Sequence, residues 1–145
     1  MKIRLALPAD IPAVFEVRTG VRENHMSMAE LAVIGVTPDT LSGMLEGDGR
    51  GWVAEEEGRV LAFAMADAAD ATVFALFVRD GCEGRGLGRL LMAEAEQWLF
   101  ARGCAQIWLE TDSDRAVRAN GFYRHLGWTD DGLQDDGQVR FIKRA

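Results

Sequence analysis

Ala71-Thr-Val-Phe-Ala-Leu-Phe-Val78 is followed by Arg79-Asp-Gly-Cys-Glu-Gly-Arg-Gly-Leu-Gly-Arg89 and then by Leu90-Leu-Met-Ala-Glu-Ala-Glu-Gln-Trp98. An apolar strand, rich in β-branched and aromatic residues, thus runs through a glycine-rich loop straight into a helix. The spacing predicts a helix from Leu87 to about Arg102, with Leu87, Leu90, Leu91, Ala95, Trp98 and Leu99 on one face. Gly84, Gly86 and Gly88 remove Cβ atoms at alternate positions, so a ligand can touch the backbone there. The first amides of a helix have no intrahelical partner, and the helix dipole adds partial positive charge. Such a place binds phosphate. Arg85 and Arg89 bracket the turn and can add charge-assisted bonds to an anion.

Several ligand classes use this physics. A P-loop needs Lys and Ser or Thr after its last glycine, whereas Gly86 is followed by Leu87 and Gly88. A dinucleotide fingerprint needs glycines that abut the strand, and here residues 79–83 intervene before Gly84, with Arg89 where a third glycine belongs. An ordinary strand-to-helix loop stays open as the plain alternative.

Glu83-Gly-Arg-Gly-Leu-Gly88 resembles the Gln/Arg-x-x-Gly-x-Gly/Ala signature of the GNAT N-acetyltransferases, with Leu76-Phe77-Val78 as the strand before it. Glu83 departs from that pattern at its first position. A second landmark, Arg118-Ala-Asn-Gly-Phe-Tyr-Arg-His-Leu-Gly-Trp128, resembles the closing helix and turn of the same family. The resemblance covers nearly the whole chain. It implies acetyl-CoA as co-substrate, held by Leu76, Phe77, Val78, Gly84, Arg85, Gly86, Leu87, Gly88 and Arg89.

Composition bounds the rest. A chain of 145 residues, 48% hydrophobic and 27% charged, is expected to be one globular domain over 1–145. No apolar run approaches the ~20 residues of a membrane span, and Met1-Lys-Ile-Arg leads into no signal-like segment. Cys82 and Cys104 have no metal-ligand spacing and read as free thiols in a reducing cytoplasm; no metal site is expected. A net charge of −7 argues against nucleic acid as acceptor and modestly favours amines. A homodimer is admitted.

Along the chain, Lys2–Leu7 alternates as a strand ended by Pro8, and Asp10 is placed to cap a helix carrying Ile11, Val14, Phe15 and Val17 on one face. Thr37-Pro38 opens a second helix, ended by the glycines at 47, 49 and 51. Trp52–Glu56 and Val60–Ala66 flank Glu57-Gly58 as a hairpin, extended by the strand at 71–78. Gly103 stops the long helix, Gln106–Glu110 is a strand, Ala116–Leu126 a helix, and Val139–Lys143 a last strand. This order is α+β. The GNAT resemblance implies a mostly antiparallel, splayed mixed sheet of six to seven strands with about four helices on its faces. It also implies that strands 71–78 and 106–110 run parallel and part, so that Leu76–Val78 can pair with the pantetheine arm.

Acetyl transfer to an amine needs a neutral amine, a stabilised oxyanion and a protonated thiolate. An alkyl ammonium has a pKa near ~10.4, so a base must take its proton. Tyr123 sits at the family's Phe-Tyr position, where the resemblance implies the thiolate's proton donor; alone, it reads equally as an amphipathic core residue. Trp108-Leu-Glu110 resembles the Trp-Leu-Glu of ribosomal-protein N-terminal acetyltransferases and makes Glu110 the base candidate, with Asp112 behind it. Arg22, Glu23, Asn24 and His25 offer a cation, an anion, an amide and an imidazole within four residues, enough to recognise a zwitterionic small molecule. His25 is the alternative base. The expected activity is transfer from acetyl-CoA to a small-molecule primary amine by direct attack. Peptide N-terminal or lysine acetylation, and a non-catalytic acyl-CoA binding module, are the competing readings.

Overall fold

Antiparallel hairpins carry the chain from one edge of a sheet towards its middle. The computed structural model describes residues 1–21, 25–112 and 116–145, with side chains for all of these but 112 and 116–120. Strands β1 (Lys2–Leu5), β2 (Gly49–Glu56), β3 (Arg59–Asp67) and β4 (Thr72–Val78) form an antiparallel meander. Strands β5 (Gln106–Asp112), β6 (Thr129–Leu133) and β7 (Gln138–Arg144) complete an open seven-stranded sheet of order β1-β2-β3-β4-β5-β7-β6. The helices are α1 (Ile11–Gly20), α2 (Met28–Val33), α3 (Pro38–Glu46), α4 (Leu87–Ala101) and α5 (Ala116–His125). No helix of the described residues is long and apolar enough to cross a membrane.

The parallel junction between β4 and β5 is short. It consists of one register pair, Thr72 with Trp108. Side chains reinforce that end: Thr72 Oγ1 donates to the Trp108 carbonyl at 2.8 Å, and Trp108 Nε1 donates to the Asp70 carbonyl at 2.9 Å. Beyond Thr72 the two strands no longer pair, so the sheet splits.

Two apolar cores flank the sheet. On one face α4 buries Leu87, Leu91, Met92, Ala95 and Leu99 against Ala62, Ala64 and Ile107. On the other, Val14, Phe15 and Val17 of α1, Leu31 of α2 and Leu41 of α3 cover Val53, Phe63 and Met65. Leu90 and Trp98 lie half-buried at the rim of α4 rather than at its centre. Arg50 and Arg102 each stack 5.2 Å from the Trp98 ring.

Local details depart from the sequence reading for physical reasons. Asp10 does not cap α1; its carboxylate accepts from the Leu7 amide at 2.7 Å and from Arg4 at 2.8 and 2.9 Å. The Arg4 guanidinium holds this carboxyl below the usual range. Gly49 and Gly51 belong to β2 rather than to the end of α3. A Cβ on Gly49 would meet the Met44 carbonyl oxygen at 2.8 Å, so the missing side chain lets the strand start tight against the helix. Helix α2 is additional, opened by a capping box in which Ser27 Oγ accepts from the Glu30 amide and Glu30 Oε1 from the Ser27 amide.

Glu96 ties α4 to the far end of the sheet from within the core. Its carboxylate accepts from the indole of buried Trp128 at 3.0 Å and from Lys143 Nζ at 2.5 Å, and Lys143 also reaches the Leu126 carbonyl. Glu96→Ala leaves the Trp128 indole without its acceptor and Lys143 with the Leu126 carbonyl but no counter-charge, in a largely dry site. The expected loss is about 2–4 kcal/mol, below the full cost of an unpaired buried charge because Lys143 keeps contact with water. Urea denaturation measures it.

Candidate active site

The split between β4 and β5 opens into a cleft of about 1020 Å³ that runs through the sheet from the α4 side to the α1 side. Its walls carry β4 from Val73 to Val78, the glycine loop, Leu109, Glu110 and Thr111 of β5, and Phe122 and Tyr123 of α5.

At the α4 end lies the glycine loop. Gly84 and Gly86 have φ of +77° and +78°, conformations open to glycine at little cost. Gly86 is the N-cap of α4 and supplies no side-chain acceptor to its first turn. The early amides of α4 therefore remain available to a ligand. A Cβ on Gly84 would meet nothing within 4 Å, so the space above it is open. The Arg89 guanidinium lies beside Gly86, 3.7 Å from the position of such an atom. Arg85 turns the other way and pairs with Glu56 at the end of β2, outside the cleft wall. Glu83 folds back, its Oε2 accepting from the Gly81 amide at 2.8 Å. The acid at the signature's first position thus braces its own loop.

Gly88 has a separate task. A Cβ there would sit 3.3 Å from the Phe122 ring, so the bare backbone lets α5 dock on the first turn of α4. That contact brings Tyr123, the next residue, into the cleft wall. Its ring packs against Phe122, Phe141 and Trp128, with centroids 5.1, 5.4 and 6.3 Å away. Burial pushes the Tyr123 phenol up to about 12. A phenol held neutral in this way is a proton donor at any ordinary pH.

Across the cleft Glu110 is largely buried and accepts from Arg140 Nη2 at 2.8 Å. The two residues are register partners on β5 and β7, and the Arg140 guanidinium stacks 4.4 Å over Trp108. This arrangement fixes the direction of the carboxylate.

Residues 21–128 match the Acetyltransferase (GNAT) family. The chain belongs to that family. It is 35% identical over 83 residues to a mycothiol acetyltransferase of Beutenbergia cavernae, covering 54% of this chain and 28% of that protein. With a mycothiol acetyltransferase of Amycolatopsis mediterranei it shares 29% over 141 residues, covering 89% of this chain and 46% of the relative. The chain thus spans less than half the length of these relatives. The crystal structure of PaiA N-acetyltransferase from Thermoplasma acidophilum, in complex with coenzyme A, superposes with a TM-score of 0.83. That superposition covers 100% of both chains at 16% identity. The GNAT fold expected from the sequence is therefore the observed one.

Of the expected site residues, the cleft of this GNAT domain brings together Leu76, Phe77, Val78, Gly84, Gly86, Leu87, Gly88, Arg89, Glu110 and Tyr123. His25 is exposed, its Nδ1 3.2 Å from the Val21 carbonyl oxygen, and is not part of the cleft wall. Arg22, Glu23 and Asn24 lie outside the described residues, as does the Asp112 side chain. Among the cleft residues that the sequence did not single out, one is a buried cation. Arg18 of α1, only 8% exposed, lines the cleft with its guanidinium 4.3 Å from the Phe77 ring centroid. The signal was present: position 18 follows Ile11, Val14 and Phe15 at helical spacing, on the buried stripe.

Proposed function

We propose that this GNAT domain transfers an acetyl group from acetyl-CoA to the primary amine of a small molecule by direct attack in a ternary complex. One observation carries the reading: a single cleft joins the open amides at the start of α4 to Tyr123 and Glu110 through the gap between β4 and β5. Acetyl-CoA supplies an activated acetyl thioester. The chain's own residues do the remaining work. The α4 amides and Arg89 hold phosphate, and Leu76–Val78, paired with β3 on one side, takes the pantetheine arm as an added strand on the edge that β5 leaves open. Backbone N–H near Val78 faces the developing oxyanion. Glu110 accepts the amine's proton, directly or through water, and Tyr123 returns a proton to the departing sulfur. The mycothiol acetyltransferase relatives support a small acceptor. CoA release measured across a panel of amines tests the reading, and release with none of them overturns it.

Glu110→Gln keeps the shape and the contact with Arg140 but removes the base. Turnover at neutral pH is expected to fall about 10²-fold, at the lower end of general-base contributions. The deficit should shrink as pH rises, because free amine then forms without help. An unchanged pH profile in the Gln variant removes Glu110 from the chemistry.

A further inference from the structure

The two halves of the cleft differ in kind. The loop half is polar, with Asp80, Glu83 and Arg89 on its wall. The half on the α1 face is walled by apolar side chains, among them Val14, Phe15, Leu31, Val36, Phe63 and Met65. Into this apolar half α1 places one guanidinium, that of Arg18, the only charged side chain there among the described residues. The guanidinium carbon lies over the Phe77 ring, 4.3 Å from its centroid, in a cation–π contact that restrains the side chain. The donors of a guanidinium lie around its edge, five in all, more than a single carboxylate uses. A planar donor fork held in a desolvated wall suits bidentate binding of a carboxylate.

Resting on the acetyl-transfer reading above, we propose that Arg18 is a specificity-determining residue that binds the carboxylate of the acceptor, and that the acceptor class is the apolar α-amino acids. The apolar wall takes the side chain, and Arg18 takes the carboxylate. The amino group is then left to face the gap between β4 and β5, where Glu110 stands. An acceptor without a carboxylate forfeits the fork, and one without an apolar body leaves the wall wet.

The test compares L-phenylalanine, L-leucine and L-methionine with their decarboxylated amines and with L-phenylalaninamide, scored as kcat/KM by CoA release. The wild-type protein is expected to favour each amino acid over its decarboxylated amine by about 10- to 100-fold, the range of a charged hydrogen-bonded pair. Phenylalaninamide, whose amine is the more readily neutral, should be poor, which separates carboxylate recognition from amine basicity. In Arg18→Met the preference ratio should collapse towards one, chiefly through KM for the amino acids. Arg18→Lys should restore part of it. Thermal stabilisation by acetyl-CoA in both variants checks that they fold, and the wild-type panel decides even if they do not. Equal or better use of the decarboxylated amines, or release with other amines but none of the apolar amino acids, overturns this assignment alone. Absence of release with every amine overturns the acetyl-transfer reading instead, and this assignment with it.

Discussion

Tyr123→Phe is expected to lower turnover by about 10²–10⁴-fold while leaving stabilisation by acetyl-CoA nearly unchanged. The substitution keeps the ring and so keeps its contacts with Phe122, Phe141 and Trp128. Only the hydroxyl is lost. Burial has already set that hydroxyl apart by pushing its pKa up to about 12, above that of an ordinary phenol. At assay pH it therefore carries a proton essentially always, which a donor to a leaving thiolate requires. Single-turnover and steady-state rates in both proteins measure the effect. A Phe variant that turns over at the wild-type rate assigns the donor to water or to another group.

The same shift has a consequence for stability. The phenol ionises near ~10 in the unfolded chain and near about 12 in the folded one, so the folded state binds the proton more tightly. Below pH ~10 both states are neutral and Tyr123 adds no pH dependence. As pH rises from 10 towards 12, the unfolded chain releases its proton first and stability falls. An alkaline loss of activity that sets in well below pH 10 must therefore come from some group other than Tyr123.

How much of this could be read from the chain depends on whether the cause was local. The strand-loop-helix at 71–101 was legible because glycine placement and helical periodicity act over a few residues, and the Phe122-Tyr123 landmark through its resemblance to the closing helix of the GNAT family. Ser27-Met-Ala-Glu30 carried an equally local capping box, yet the methionines around it masked the start of α2. Gly49 and Gly51 misled because a glycine ends a helix and admits close packing alike. The pairing of Gly49 with Asp67 and of Gly51 with Met65 across β2 and β3, which decides between these, is a tertiary contact. Asp10 was drawn from its expected cap by Arg4, which pairs with it across six residues from β1. Strand β6, Thr-Asp-Asp-Gly-Leu, has no alternating pattern and exists because β7 offers it an edge. Arg18 lay on the buried stripe, but a charged residue there becomes meaningful only once Phe77 and the cleft wall surround it. The glycine loop could be recognised at once. The chemistry of the apolar half could not, because α1, α2, α3, β3 and β4 build it together.

Gly86→Asp should abolish stabilisation by acetyl-CoA without unfolding the protein. Gly86 holds φ at +78° as the N-cap of α4, and aspartate is among the non-glycine residues that tolerate this region. The new Cβ would meet only Arg89 Nη2, at 3.7 Å. The added carboxylate can therefore pair with Arg89 and cap the first turn of the helix, which offsets the backbone strain. Stability without ligand should then stay within about 1 kcal/mol of the wild type. Those interactions consume the donors that phosphate needs and put negative charge at its seat. For the wild type, acetyl-CoA at 100 times its dissociation constant should contribute about 2.7 kcal/mol. At roughly 2–4 °C per kcal/mol for a domain of this size, the melting temperature should rise by about 5–11 °C. The Asp variant should show no rise at the same concentration. Gly86→Ala, strained but uncharged, should keep a reduced one. A full shift in Gly86→Asp would mean that the pyrophosphate does not sit at the start of α4, and the cleft would need a different reading from that end inward.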